Sequence, residues 1–215
     1  VDRQRRVVRE LLDAHGRTYA DEAGIRLRDT PQPLYRLLVL AHLLSARIRA
    51  SVALATARAL HEAGLRDPRR MAEAGWQERV DALGRGGYRR YDERTATQLG
   101  EAAELLNERW GADLRRLRRE ADGKVSGLRH LLQEFPGIGP AGADIFLREA
   151  QGVWPEAAPY LDAKALQGAE RLNLPKDTER LVELAGDTDP AVLAAALVRA
   201  AVDKDVAEDA MRRAG

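Results

Sequence analysis

The 215-residue chain contains no cysteine. That absence excludes disulfides, thiolate metal sites, cysteine-held iron–sulfur clusters and a cysteine nucleophile. No apolar run approaches the ~20 residues needed to span a bilayer, so the expected location is the cytoplasm, at the nucleoid if the source is bacterial. No basic and apolar leader ending in small residues is visible, although the chain begins at Val1 rather than Met, which leaves processing open. Histidine is scarce and scattered, at His15, His42, His61 and His130. None stands at a familiar ligand spacing from an acidic residue, so no metal and no other cofactor is expected. Neither sign of charge is in excess, the formal net charge being +1. Alternating apolar runs are missing and β-branched residues are sparse, so no strands are expected.

What is present reads as helix. Hydrophobic residues make up 45% and charged residues 32% of the chain, ordinary for a globular protein. The length allows one to two domains. "LYRLLVLAHLLSARI", from Leu34, is apolar on too many sides for a surface helix and predicts a buried central one. "DERTATQLGEAAELLNERW" predicts a partly exposed amphipathic helix. Asp67-Pro68 and Asp189-Pro190 each put an acidic cap before a proline at the first helical position. Gly64, Gly111 and Gly186 mark helix stops. The predicted fold class is all-α. Joints at "RDTPQP" and "QGVWPEAAPY" predict a central helical domain over 33–150, with 1–32 and 151–215 forming a second helical lobe and a cleft between the two.

Arginine is clustered at Arg3, Arg5, Arg6 and Arg9, at Arg85, Arg89, Arg90 and Arg94, and at Arg115, Arg116, Arg118 and Arg119. Such clusters read either as nucleic-acid contacts or as solvated helix surface. A more specific feature is "EFPGIGPAGAD", Glu134 to Asp144. Pro136 ends one helix, Gly137 and Gly139 free the backbone, and Pro140 opens the next helix. Bare amides at a helix N-terminus seat a phosphate and anchor nucleic acid without reading its sequence.

In context, "LLQEFPGIGPAGADIFL" resembles the helix-hairpin-helix of DNA glycosylases related to endonuclease III. Downstream, "YLDAKALQGAERLNL" resembles the segment bearing that family's catalytic aspartate. "LLVLAHLLSARIRA" and "GGYRRYDERT" resemble its early helix and its two duplex-probing loops. The resemblance runs from about Leu34 to Leu174, and more loosely over Leu193 to Arg199.

The resemblance implies a two-lobed helical fold that flips a nucleotide out of duplex DNA. The partner implied is double-stranded DNA with a damaged or mispaired base, met by a monomer. Gly137, Ile138 and Gly139 would hold a backbone phosphate. Arg47 would fill the vacated stack, contact the orphan base or touch phosphate. Gly87, Tyr88 and Arg89 would form the second loop, with Tyr88 either a wedge or a buried structural residue. His42, Trp154 and Tyr160 are further pocket candidates. Asp162 would stabilise the oxocarbenium-like sugar and activate water; it equally suits a helix N-cap.

Two departures matter. Bifunctional members carry a lysine two positions after the second glycine, where this chain has Ala141. Alanine forms no Schiff base, so strand-cleaving lyase chemistry is not expected; Lys164, two residues past Asp162, points away from it along a helix. The family's four-cysteine cluster is also missing. The expectation is a monofunctional DNA glycosylase; the alternatives are a non-catalytic protein that binds distorted or abasic DNA, and a helical interaction domain with a coincidental turn.

Overall fold

A computed structural model describes residues 2–215; Val1, the first residue of the N-terminal segment, lies outside the described residues. In chain order the helices are α1 (Asp2–His15), α2 (Tyr19–Glu22), α3 (Pro31–Ser45), α4 (Ala50–Glu62), α5 (Pro68–Glu73), α6 (Trp76–Arg85), α7 (Asp92–Trp110), α8 (Leu114–Glu120), α9 (Val125–Leu132), α10 (Pro140–Ala150), α11 (Ala163–Arg171), α12 (Thr178–Ala185), α13 (Pro190–Val202) and α14 (Lys204–Arg213). Among the described residues there is no strand, so the protein is all-α. No described helix is long and apolar enough to cross a membrane.

The chain divides into two compact units. One comprises the N-terminal segment up to Tyr19 with Arg148–Gly215; the other is Ala20–Leu147. The boundary falls inside α10, and the joint 28–33 lies within the second of these units.

In the unit Ala20–Leu147, α3 buries Leu34, Tyr35, Leu37, Leu38, Leu40, Ala41 and Leu43. Apolar on nearly every side, it is the central helix that its composition predicts, packed on α4 and α8. The caps act as the sequence predicts: Asp67 accepts the Arg70 amide at 3.0 Å at the start of α5, and Gly111 closes α7 with φ of 58°. Arg79 stitches α5 to α7 by donating to the carbonyls of Ala96 (2.8 Å), Ala74 (2.8 Å) and Met71 (3.1 Å). The Met71 and Ala74 carbonyls are acceptors that the short α5 leaves open at its C-terminal end, and the Ala96 carbonyl belongs to α7.

In the other unit, α13 is alanine-rich and buried almost all round. Small side chains let backbones approach closely, and α11 lies against α13 with Gly168 at the contact. A Cβ on Gly168 would stand 1.8 Å from the Leu197 carbonyl oxygen. Helices α12 and α14 pack against α13, and α1 against all three. This apolar packing involves no cysteine, so nothing in the C-terminal helices fits an iron–sulfur cluster.

Candidate functional site

The glycine turn joins α9 to α10 and is braced from several sides. Phe135 stacks near Trp110 with ring centroids 5.4 Å apart. Arg109 pairs with Glu134 and lies over the Trp110 ring at 4.4 Å. Arg129 bridges the two helices through Asp144 at 3.0 Å. The Ile138 amide donates to the Phe135 carbonyl at 3.0 Å, closing the turn. Gly137 has φ of 87°, a left-handed conformation that favours glycine. It also lies so close to His42 that a Cβ would meet the imidazole Cε1 at 2.3 Å. Gly139 is different: it is exposed, and a Cβ there would meet nothing within 4 Å. Neither glycine amide donates to a backbone carbonyl among the described residues. Ile138 is buried, its side chain anchoring the turn in the core.

Three segments far apart in sequence meet at one pocket of about 310 Å³ within Ala20–Leu147. Arg47 and Ser45 come from the end of α3 and its loop, Tyr88 from the loop after α6, and Gly137 from the turn. The start of α7 adds Tyr91, Arg94, Thr95 and Gln98, and α3 adds His42. His42 faces Gln98 at 3.2 Å between Nε2 and Oε1. Burial pushes the imidazole down to about 4, outweighing the Gln98 hydrogen bond; nearby Arg94 lowers it further. At neutral pH His42 is therefore uncharged, with Nε2–H donating to Gln98.

The loop bearing Tyr88 is shaped by the end of α6. The Gly87 amide donates to the Gly84 carbonyl and the Tyr88 amide to that of Leu83, both at 3.0 Å, with Gly87 at φ of 87°. This paired closure of a helix end needs glycine at Gly87. It turns the Tyr88 ring inward, where the residue is 1% exposed and its hydroxyl pairs with Thr95 at 3.0 Å. A ring so enclosed has no free face for a base. Of the two roles open for Tyr88, the geometry supports the buried structural one.

Arg47 and Arg94 line the pocket, and Arg89 and Arg90 belong to the adjoining loop. Among the described residues, Arg47, Arg89, Arg90 and Arg94 form no ion pair, and all four are exposed; Arg90 lies over the Tyr91 ring at 5.3 Å. On α8, by contrast, Arg115 is held by Asp113 and Arg118 by Asp29, each at 2.9 Å. Two of the four α8 arginines are thus neutralised, whereas the two that line the pocket are not.

Asp162 lies in the other unit and is the N-cap of α11, where its Oδ1 accepts the Ala165 amide at 3.2 Å. Arg148, in the last turn of α10, places Nη1 3.3 Å from both carboxylate oxygens. The pair is nearly enclosed, with side chains 9% and 10% exposed. Gln151 holds the approach to Asp162: its Nε2 donates to the carbonyls of Arg148 (2.8 Å) and Tyr160 (3.0 Å), and its Oε1 accepts the Tyr160 amide at 2.7 Å. Trp154 is a core residue of the same loop. Lys164 is exposed and donates to Gln167 at 2.9 Å. Ala141 is exposed in the first turn of α10.

Sequence reasoning misses Tyr91, Arg94, Thr95 and Gln98 as one face. Their spacing of i, i+3, i+4 and i+7 on α7 is the signal that was available. It also misses Arg148 and Gln151. A cation and an amide three residues apart, in and just past the last turn of α10, were the trace of them.

No protein-family model matches the chain, and no curated protein matches it. Among solved structures it is similar to a trapped endonuclease III–DNA covalent intermediate in an estranged-adenine complex. The TM-score is 0.47 and the identity 17%, over 75% of this chain and 71% of that one.

Proposed function

We propose that the chain is a monofunctional DNA glycosylase of the helix-hairpin-helix type. It would hydrolyse the N-glycosidic bond of a damaged or mispaired base flipped from duplex DNA. The observation that carries the DNA half of this reading is the convergence of Arg47, Tyr88, Arg94 and the Gly137 turn on one pocket whose two lining arginines form no ion pair. Free cations beside glycine amides that have no backbone acceptor suit a phosphate backbone, which gains affinity by counterion release. In this reading Gly137 and Gly139 hold phosphate by their amides, Ile138 supports them from the core, and Arg47 and Arg89 contact the strands.

The hydrolytic half rests on Asp162. A carboxylate beside the sugar stabilises the cationic transition state and orients water. With Ala141 in place of an amine and Lys164 bonded to Gln167, no nucleophile for lyase chemistry is assigned.

A second reading, binding of distorted or abasic DNA without chemistry, is favoured by one specific observation. The Asp162 carboxylate already has two partners, Arg148 and the Ala165 amide. Base release from a panel of duplexes, each with one lesion or mispair, separates the two. The glycosylase reading expects release by the wild type, loss of about 10²-fold or more in Asp162→Asn, and little change in duplex affinity. Borohydride is expected to trap no covalent adduct. No product from any duplex would leave the binding reading standing, and a trapped adduct would overturn the monofunctional one.

A further inference from the structure

We infer that Arg148, supported by Gln151, is the positioning group of the Asp162 carboxylate, holding Oδ1 into the fold and leaving Oδ2 to face the reacting sugar; this rests on the reading of Asp162 as the catalytic carboxylate.

The two oxygens are not equivalent. Oδ1 takes the Ala165 amide and one contact from Arg148, whereas Oδ2 takes the Arg148 contact alone among the described residues. An ionised carboxylate has about four acceptor sites, so Oδ2 keeps capacity for water or substrate. The cation contact is equidistant at 3.3 Å to each oxygen. Charge-assisted N–H···O bonds run about 2.7–2.9 Å. Arg148 therefore orients the carboxylate plane without drawing its charge onto one oxygen.

Gln151 completes the device. Both its N–H donors and its carbonyl are used, and two of the three bonds go to Tyr160, two residues before Asp162. The end of α10 thus holds the backbone at Tyr160 through Gln151 and the Asp162 carboxylate through Arg148. Neither residue needs to touch DNA. A positioning error of about 1 Å in a reacting group costs about 10²-fold in rate.

The test is single-turnover base release, with binding to a duplex carrying a tetrahydrofuran abasic analogue measured in parallel. Wild type comes first: no release from any lesion duplex overturns the glycosylase reading, and this inference with it. Given release, Arg148→Gln is expected to slow the chemical step about 100-fold. Arg148→Lys should recover part of that loss, and affinity for the tetrahydrofuran duplex should hold within about twofold. Adding Arg148→Gln to Asp162→Asn should lower the rate no further. Should Arg148→Gln melt below the assay temperature, Gln151→Met removes the Tyr160 tether without stranding a charge. It is expected to show the same split of slow chemistry and unchanged binding. An active Arg148→Gln or Gln151→Met beside an inactive Asp162→Asn overturns the positioning role and leaves the glycosylase intact.

Discussion

Replacing Gly168 by alanine is expected to destabilise the protein even though alanine is the better helix former. A Cβ at this position would lie 1.8 Å from the Leu197 oxygen, 2.6 Å from its carbonyl carbon and 3.3 Å from the Ala201 nitrogen. A carbon approaches a carbonyl oxygen comfortably at about 3.3 Å. Helices α11 and α13 must then part locally by about 1.5 Å, the difference between that spacing and the one the fold leaves. Every close neighbour is backbone, so no rotamer change relieves the clash. Overpacking costs about 1–3 kcal/mol, and the backbone setting puts this site at the upper end. The intrinsic preference of helices for alanine returns about 1 kcal/mol. The net expectation is a loss of about 2 kcal/mol, or about 1 M in urea midpoint for an m-value near 2 kcal/mol/M.

Equilibrium urea unfolding measures this directly, and Gly139→Ala is the matched control because a Cβ there meets nothing within 4 Å. A Gly168→Ala midpoint equal to or above wild type would refute the reasoning, since it would mean that α11 and α13 do not approach through this glycine. The same change bears on the site. Asp162 is the N-cap of α11, so a helix pushed off α13 carries the carboxylate with it.

Two other perturbations probe the pocket. Gly137→Ala is expected to destabilise by about 1–3 kcal/mol, because alanine at φ of 87° is strained and its Cβ strikes His42. Gly139→Ala is expected to leave the melting temperature unchanged while weakening duplex binding in a fluorescence titration; equal effects of the two on stability would contradict this assignment. His42 makes the fold sensitive to acid. Its folded-state pKa of about 4 lies below the ordinary 6.5, so the unfolded chain binds the proton first as pH falls. Stability is then lost from about pH 6.5 down to about pH 4, at up to about 1.4 kcal/mol per pH unit, and the loss levels off below that. The stability of wild type relative to His42→Gln should fall with falling pH across that window. Parallel curves would show that His42 titrates normally.

The fold class was legible because helices advertise themselves locally. Asp67 before Pro68, Asp189 before Pro190 and the apolar breadth of α3 each encode their structure within a few residues. Locally the sequence shows Asp113 beside Arg115, but not which of the other arginines are paired. Arg118 is neutralised by Asp29, far away in sequence, whereas Arg47 and Arg94 meet no acid among the described residues. Whether a surface cation is available for DNA depends on such distant partners, so composition counts the charges and only the fold shows which are spent. Tyr88 makes the same point for an apolar group. Its loop is written locally in Gly86 and Gly87, but the partner of its hydroxyl, Thr95, lies on α7. At Asp162 the N-cap was readable from "LDAKAL" because a cap needs only the next turn of chain. The Arg148 contact was not, because it depends on how the loop 151–160 returns to the end of α10. Cap and catalyst are therefore not rival descriptions of this residue: the cap occupies Oδ1, and Oδ2, which meets Arg148 alone among the described residues, keeps acceptor sites for water or substrate.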